Sequence, residues 1–344
     1  MSSNVAGINR RRITRIALGV ILAGAFLYLT VVNVDAAKTL RSIMAARLPF
    51  VALGLGAVAA GFSLRIVRWW LLLKPLSPSL RPVDCAGPLL VGFALNNILP
   101  FRAGDVVRVF GFQRQLGAGP PQVLGTLLAE RALDLIAILI IFMVCLSQAH
   151  IDAIPTSFVR IGVGLALLSV VAAGIILMWP EATQRLVLRL TRSNLLMRHS
   201  LTRRIGRIAE HVADALLSFV PRSRAMGLVA LSLLIWLIEA AVFGAIATSL
   251  GLMTEPLGPL FAMATGTLAT MIPSTPGYVG TFDFFTRIGL ETFGASAELS
   301  TAAAFTVHAV LWWPVTLVGL ALVVYVRPAL GSVGSVDAVD GSVA

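Results

Sequence analysis

Long apolar segments constrain this chain more than any other feature of its sequence. A bilayer with a hydrocarbon core of about 30 Å requires about 20 predominantly apolar residues for each helical crossing. Hydrophobic residues make up 58% of the chain and charged residues only 12%, so stretches of that length are available. The clearest are residues 13–32, 48–73, 123–147, 157–179, 225–250 and 297–326. The sequence therefore predicts an all-α, polytopic membrane protein with about six full spans.

The positive charge of the chain indicates membrane orientation. The net charge is +11, but the basic residues form short runs beside apolar segments instead of a basic face, so we expect no nucleic acid partner. One run precedes the first span at residues 10–15, and nine arginines lie within residues 180–224. Because cytoplasmic segments are rich in Lys and Arg, the amino terminus and residues 180–224 are predicted to be cytoplasmic, in the cell (inner) membrane.

Two shorter apolar segments must then cross the membrane an even number of times. Residues 85–100 lie between the second and third spans, and residues 259–273 lie between the last two. The simplest solution makes each a re-entrant hairpin, over 85–108 from the cytoplasm and over 259–283 from the outside. Hairpins of opposite orientation are typical of an inverted repeat around a midplane site. The alternative, a short true span in place of one hairpin, stays open.

The spans are grouped into a single predicted membrane domain over residues 1–328. Its first half covers residues 13–179, and its second half covers residues 225–326. Over residues 181–219, arginines alternate with apolar residues at helical spacing, which predicts an amphipathic helix on the inner leaflet. The small and polar residues 329–344 are predicted to be a disordered tail.

Polar residues and helix breakers interrupt the first predicted hairpin. They are Asn96, Asn97, Pro100, Arg102, Gly104, Asp105 and Arg108. Irregular backbone at membrane depth requires protein or water around it, so these residues are predicted to bind a lipid headgroup. A helix that restarts after Gly104 would present free N–H groups beside arginines, an arrangement that suits phosphate. The alternative is a cytoplasmic turn whose arginines merely contact anionic headgroups.

The second predicted hairpin is broken in a similar way. The residues that mark this break are also predicted to bind the lipid headgroup; they are Pro273, Ser274, Thr275, Pro276, Gly277, Gly280 and Asp283. Two prolines and two glycines within eight residues cannot continue a helix. An exposed loop would explain them, but it would not explain why they interrupt an uncharged apolar segment. A broken helix that lines a cavity is favoured.

Ionisable residues also enter the third predicted span. Glu130, Arg131 and Asp134 lie about 10 Å along its helix. Intramembrane ionisable residues are candidate functional groups, and the expected partners of the two carboxylates are Arg131 itself, Arg102 and Arg108. The alternative is a charge cluster that neutralises itself and fixes the first hairpin.

Two residues in later spans are secondary candidates. Glu239 is a lone carboxylate within residues 225–250, and His308 lies one turn before Trp312 in the last span. A structural histidine with satisfied hydrogen bonds and a proton relay are both open for His308. Trp69, near the predicted cytoplasmic end of its span, fits an interfacial aromatic belt.

Familiar catalytic motifs are missing from the sequence. It contains no GxxxxGK[ST] loop, no HExxH, no GxSxG and no zinc-like spacing of Cys and His. Cys85 and Cys145 both lie in apolar stretches and form no CxxC pair. We therefore expect no catalytic residue, no metal and no cofactor.

Three motifs resemble a flippase-like family that is named for the transmembrane region of lysylphosphatidylglycerol synthase. They are NNILPFRAGDVVRV at 96–109, ERALDL at 130–135 and IPSTPGYVGTFD at 272–283. The resemblance covers roughly residues 10–328, with Asp283 where glutamate is expected. It implies a polytopic bacterial or archaeal membrane protein, fused in some members to a soluble aminoacyl-transferase or glycosyltransferase domain. No such domain is expected here.

The resemblance and the hairpins together favour a transport or accessory role over an enzyme. The leading hypothesis is a flippase or lipid-binding transporter for an anionic or isoprenoid-linked lipid, with membrane lipids as the binding partners. The first alternative is a non-catalytic membrane partner of a separate glycosyltransferase or lipid-modifying enzyme. A weaker alternative is an intramembrane lipid transferase with Glu130, Asp134 or Asp283 as its base.

Overall fold

The computed structural model describes residues 19–148, 164, 185, 222–272 and 275–326, and all regular structure in these residues is helical. In chain order the helices are α1 (Gly19–Val31), α2 (Ala36–Met44), α3 (Leu48–Leu73), α4 (Pro82–Ile98), α5 (Ala103–Gly111), α6 (Gln113–Leu116), α7 (Pro120–Leu146), α8 (Arg222–Ser249), α9 (Gly258–Ala269), α10 (Thr281–Glu291) and α11 (Ala297–Val326). Short 3₁₀ turns occupy Pro100–Arg102 and Pro276–Tyr278. The predicted tail 329–344, and nearly all of the predicted span 157–179 and amphipathic helix 181–219, lie outside the described residues.

Three of the described helices are long and apolar enough to cross a membrane. These segments are Leu48–Leu73, Arg224–Ser249 and Ala297–Tyr325. The bent pair α1 and α2, with 85° between its helices, would make a fourth if it counts as one span. Helix α7 has the required length, with 27 residues, but Glu130, Arg131 and Asp134 interrupt its apolar sequence. Exposed apolar side chains such as Leu317 and Val324 of α11 provide a surface suited to lipid.

The first predicted hairpin consists of two helices that pack against each other across a break. Helix α4 ends at Ile98, the turn Pro100–Arg102 follows, and α5 begins at Ala103. The helix thus restarts before Gly104, and not after it as predicted. The reason is Arg102, whose φ of 53° places it in the left-handed region, so helical backbone begins at the next residue.

The second predicted hairpin has the same construction. Helices α9 and α10 pack on each other, and the turn Pro276–Tyr278 lies in the break between them. The turn uses positive φ angles at Gly277 (72°), Tyr278 (60°) and Gly280 (88°). Glycine adopts this region without steric cost, which is why the chain can reverse there so sharply. Pro273 and Ser274 lie outside the described residues.

The chain forms two compact units, each assembled from segments distant in sequence. Unit 1 comprises the described residues within 1–64, 133–173 and 229–314, and unit 2 those within 65–132, 174–228 and 315–344. The boundaries fall inside α3, α7, α8 and α11. The first hairpin belongs to unit 2, and the second hairpin belongs to unit 1.

Helix α1 is fastened to the second hairpin within unit 1. Its last carbonyl groups lack partners inside the helix, and Arg287 of α10 donates hydrogen bonds to the carbonyl oxygens of Leu29 (3.2 Å) and Thr30 (2.6 Å). The close approach of the two elements requires Gly280, because a Cβ atom there would collide with the carbonyl oxygen of Ala23. The start of α10 is therefore held in a fixed position against α1.

Candidate functional site

The first hairpin contains a buried ion pair in unit 2. The guanidinium of Arg108 donates to both carboxylate oxygens of Glu130, at 3.4 Å to Oε1 and 3.1 Å to Oε2. The side chains are 0% and 2% exposed. Room for Arg108 exists because Gly92 of α4 has no side chain; a Cβ atom at Gly92 would overlap the arginine stem. The pair joins α5 to α7, and because both charges are buried, removal of either partner would leave the other without compensation.

Asp105 extends this pair into a network. Its Oδ1 accepts a hydrogen bond from Nδ2 of Asn96 (3.0 Å), and its backbone N–H donates to Oδ1 of the same asparagine (3.2 Å). Arg131 lies 3.6 Å from Asp105 Oδ1 and 3.9 Å from Glu130 Oε1. The backbone N–H of Asp105, one of the groups predicted to be free for a phosphate, is thus already bonded to Asn96. Asn97, the second amide, donates instead to Thr316 Oγ1 (2.8 Å) in α11.

Two residues of α3 belong to this network, although the sequence predicts neither of them as a site residue. Trp69 is fully buried, not interfacial as predicted, and the guanidinium of Arg108 lies over its ring at 4.1 Å from the centroid. Arg68 is also fully buried and close enough to act electrostatically on Glu130. Their spacing supplies a weak signal: Arg65, Arg68 and Trp69 share one helical face, and all three are buried.

Arg102 differs from the other arginines of the first hairpin. It lies in the break between α4 and α5, and its side chain is partly exposed. Among the described residues, no hydrogen bond or ion pair engages its guanidinium. The predicted pairing of Arg102 with Glu130 or Asp134 therefore does not occur in this part of the structure. Glu130 is paired with Arg108 instead.

The second hairpin brings Asp283 together with His308 in unit 1. Nδ1 of His308 lies 2.7 Å from Asp283 Oδ1, and its Nε2 lies 3.0 Å from the carbonyl oxygen of Gly277. The other carboxylate oxygen of Asp283 accepts the backbone N–H of Gly280 at 2.9 Å. Asp283 is 1% exposed. The sequence proposes both residues but does not pair them, because 25 residues and a helix boundary separate them.

Aromatic rings enclose this acid and imidazole pair. Phe282 lies edge-on to His308 (5.1 Å between centroids) and to Trp312 (4.7 Å), and Trp312 also contacts the His308 ring at 4.5 Å. Tyr278 reaches Trp312 from the turn, at 6.5 Å. The rings shield the pair from bulk solvent, which strengthens its hydrogen bonds.

The remaining predicted site residues take separate positions. Asp134 is buried in unit 1, where Nε1 of Trp236 donates to its Oδ1 at 3.0 Å. Glu239, one turn further along α8, is partly buried. Thr275 and Pro276 lie in the break of the second hairpin, and Thr275 Oγ1 bonds weakly to Val279 O at 3.4 Å. No group of His, Cys, Asp and Glu among the described residues is arranged to hold a metal ion.

Long apolar helices and charged, broken hairpins define the class of this chain: it is a polytopic helical membrane protein. Its residues 16–319 match the family model described as the lysylphosphatidylglycerol synthase TM region, and the chain belongs to that family. The predicted fold class and the resemblance carried by the three motifs are confirmed.

Two relatives of this chain differ in the share of their own length that the match covers. A UPF0104 membrane protein of Methanothermobacter thermautotrophicus is 25% identical over 283 residues, which cover 75% of this chain and 80% of the relative. Glycosyltransferase AglD of Haloferax volcanii is 26% identical over 336 residues, or 88% of this chain. The match covers only 52% of AglD, so this chain spans about half the length of that protein.

Proposed function

We propose that this protein is a lipid translocase or lipid-binding transporter that moves an anionic or isoprenoid-linked lipid between membrane leaflets. In this proposal it resides in the cell (inner) membrane with its amino terminus and residues 180–224 in the cytoplasm. The two hairpins enter the bilayer from opposite sides. Family membership supports a lipid-related membrane role, and the geometry of the first hairpin supports the choice of cargo.

One observation carries the proposal: Arg102 lies at the break of a hairpin whose other charges are engaged with one another. Arg108 is bonded to Glu130, and Arg131 lies beside Asp105. Arg102 is partly exposed, and no described residue engages its guanidinium. A cation at membrane depth is costly without a counter-charge, and a phosphate is a good bidentate partner for guanidinium. The anionic headgroup of a lipid supplies that charge, while its chains can contact the exposed apolar faces.

Replacing Arg102 is therefore expected to slow lipid movement. In vesicles with reconstituted protein, Arg102→Ala should lower the rate at which a tail-labelled fluorescent phosphatidylglycerol becomes accessible to dithionite. The expected loss is roughly tenfold or more, because a charge-assisted hydrogen bond contributes about 1.5–3 kcal/mol. Arg102→Lys should retain part of the rate, since lysine keeps the charge but not the bidentate geometry.

Arg114 provides the matched control. It is an exposed arginine in α6, shortly after the first hairpin, and it has no described ion pair. Arg114→Ala should change the rate less than twofold, the effect expected of an isolated surface charge. Equal rates for wild type and Arg102→Ala, with anionic and with isoprenoid phosphate lipids, would refute this function.

The relation to AglD favours a second candidate function. This chain is similar to about half of a protein that is named a glycosyltransferase. In this candidate function, the present chain acts together with a separate enzyme. In that case the chain would be a non-catalytic partner that holds the enzyme at the membrane through residues 181–219. Copurification of a stable complex that is lost on deletion of 181–219, together with vesicles that show no lipid movement, would favour this candidate over a translocase.

A further inference from the structure

The imidazole of His308 is bonded on both sides to groups that accept hydrogen bonds. Gly277 offers a carbonyl oxygen to Nε2 at 3.0 Å, and Asp283 offers a carboxyl oxygen to Nδ1 at 2.7 Å. A carbonyl oxygen can only accept, so Nε2 must carry a proton. The contact at Nδ1 needs a proton of its own, either on that nitrogen or on the carboxyl group. The arrangement in which both hydrogen bonds are formed therefore holds one proton more than a neutral imidazole and a carboxylate hold together.

Removal of this proton would make the arrangement unsatisfied. If Nε2 keeps its hydrogen, the lone pair of Nδ1 faces a carboxylate oxygen of Asp283 at 2.7 Å. If the imidazole changes tautomer, the lone pair of Nε2 faces the Gly277 carbonyl instead. One of the two hydrogen bonds must be lost in either case. Asp283 cannot readily turn away, because its second oxygen accepts the N–H of Gly280.

We propose that Asp283 and His308 form a proton-binding site whose occupation closes the second hairpin. When the proton is bound, His308 ties Gly277, in the turn of the hairpin, to α11. When the proton leaves to water, no other covalent bond is made or broken. The hydrogen bond between His308 and the turn is then broken or weakened. The turn is suited to move because Gly277, with φ of 72°, adopts its conformation without side-chain restraint.

The elements around the pair in the described part of unit 1 carry few other ionisable side chains. Helix α9 contributes no ionisable side chain, and Gly266 on that helix lets Phe282 pack closely. On α10, Arg287 bonds to Glu291 at 2.7 Å and to the end of α1. The other ionisable groups on the neighbouring elements are Tyr28 of α1, Asp134 of α7, Glu239 of α8, Tyr278 of the turn, and Glu298 of α11. Within the described part of the chain, Asp283 and His308 are the carboxyl group and the imidazole that contact each other directly.

Accessibility of the turn tests the proposal without a transport assay. Val279, an exposed residue directly after the turn, is changed to cysteine, and its reaction with a maleimide in vesicles is followed between about pH 5.5 and pH 8.5. Cys85 and Cys145 are fully buried, and the unmodified protein gives the background. A Met253→Cys protein, with its thiol in an exposed loop, corrects for the increase in thiolate with pH. We expect the corrected labelling to rise about fivefold at high pH, the effect of one lost hydrogen bond.

Asp283→Asn supplies the decisive variant. Its amide oxygen can accept the N–H of Gly280 while its NH₂ group donates to Nδ1 of His308, so a neutral imidazole satisfies every bond. This variant should imitate the protonated pair and show low labelling at all pH values. His308→Gln, which cannot take up a proton, should show labelling that is independent of pH. A wild-type pH response in either variant, or corrected wild-type labelling that does not change with pH, would overturn the proposal.

A role of this site in lipid movement rests on the proposed function, but its existence does not. If the labelling behaves as expected and no lipid moves in vesicles, the proton site stands and the translocase proposal fails. If lipid moves and the labelling of wild type does not change with pH, the translocase stands and the proton site is excluded.

Discussion

Glu130→Gln is expected to destabilise the protein by about 3–5 kcal/mol, the loss typical of a buried ion pair from which one partner is removed. The substitution keeps the shape of the side chain but leaves the guanidinium of Arg108 buried without its counter-charge. Both side chains are essentially inaccessible, and Nε of Arg108 has no described hydrogen-bond partner that could compensate. The unfolding midpoint of the purified protein in detergent, followed against added denaturant, measures the effect.

Glu255→Gln is the control for this change. Glu255 is exposed in the loop before α9, and no described residue bonds to its side chain. Its replacement should change stability by less than about 0.5 kcal/mol. A Glu130→Gln midpoint that moves no more than that of Glu255→Gln would show that the pair does not stabilise the hairpin.

A double variant separates the ion pair from other effects of residue 130. When Arg108→Met is combined with Glu130→Gln, neither member of this ion pair leaves an uncompensated charge behind. The double variant should therefore be less destabilised than the sum of the two single variants, by about 1–3 kcal/mol. Simple additivity would mean that the two side chains act independently.

Local chemistry explains which parts of the hairpins could be predicted. Pro100 in the first hairpin, and Pro276, Gly277 and Gly280 in the second, act on their own backbone, so their sequence positions predict the breaks. The length of the apolar helices follows in the same way from the thickness of the bilayer. Such features require no knowledge of which helix is a neighbour of which.

The pairing of the charges depended on tertiary structure. Nothing in the sequence decides between Arg102 and Arg108 as the partner of Glu130, because the choice depends on how α5 is rotated against α4 and on the space left by Gly92. Trp69 was predicted at the membrane interface because it lies near the end of an apolar run. It is buried between Arg108 of the first hairpin, which lies over its ring, and Thr126 of α7, to which its Nε1 donates at 3.1 Å.

The two hairpins place different chemistry at their breaks. In unit 2 the charges neutralise one another around Arg108, while Arg102 is left partly exposed in the break. In unit 1 an acid and an imidazole contact each other directly at the turn, and no arginine bonds to them among the described residues. In the proposed mechanism the first hairpin provides a cation for the headgroup. The second hairpin provides a bond that can be made and broken by one proton.

Gly104→Ala is expected to separate α4 from α5 and to destabilise the protein by about 3 kcal/mol. A Cβ atom at this position would collide with the carbonyl oxygen of Gly92 and approach the backbone nitrogen of Asn96 to 2.8 Å. These are backbone atoms of a helix, so they cannot move aside as a flexible side chain does. Overpacking costs about 1–3 kcal/mol, and the two bonds between Asn96 and Asp105 would add about 1 kcal/mol each if they were lost.

Gly56→Ala separates this steric effect from the general effect of replacing glycine. Gly56 lies inside α3, and a Cβ atom there would meet no atom within 4 Å. Alanine should therefore stabilise the protein by about 0.5–1 kcal/mol, because it restricts the unfolded chain more than glycine does. The two unfolding midpoints should move in opposite directions. If both variants are more stable than wild type, the helices of the first hairpin are not in the close contact on which its buried charge network depends.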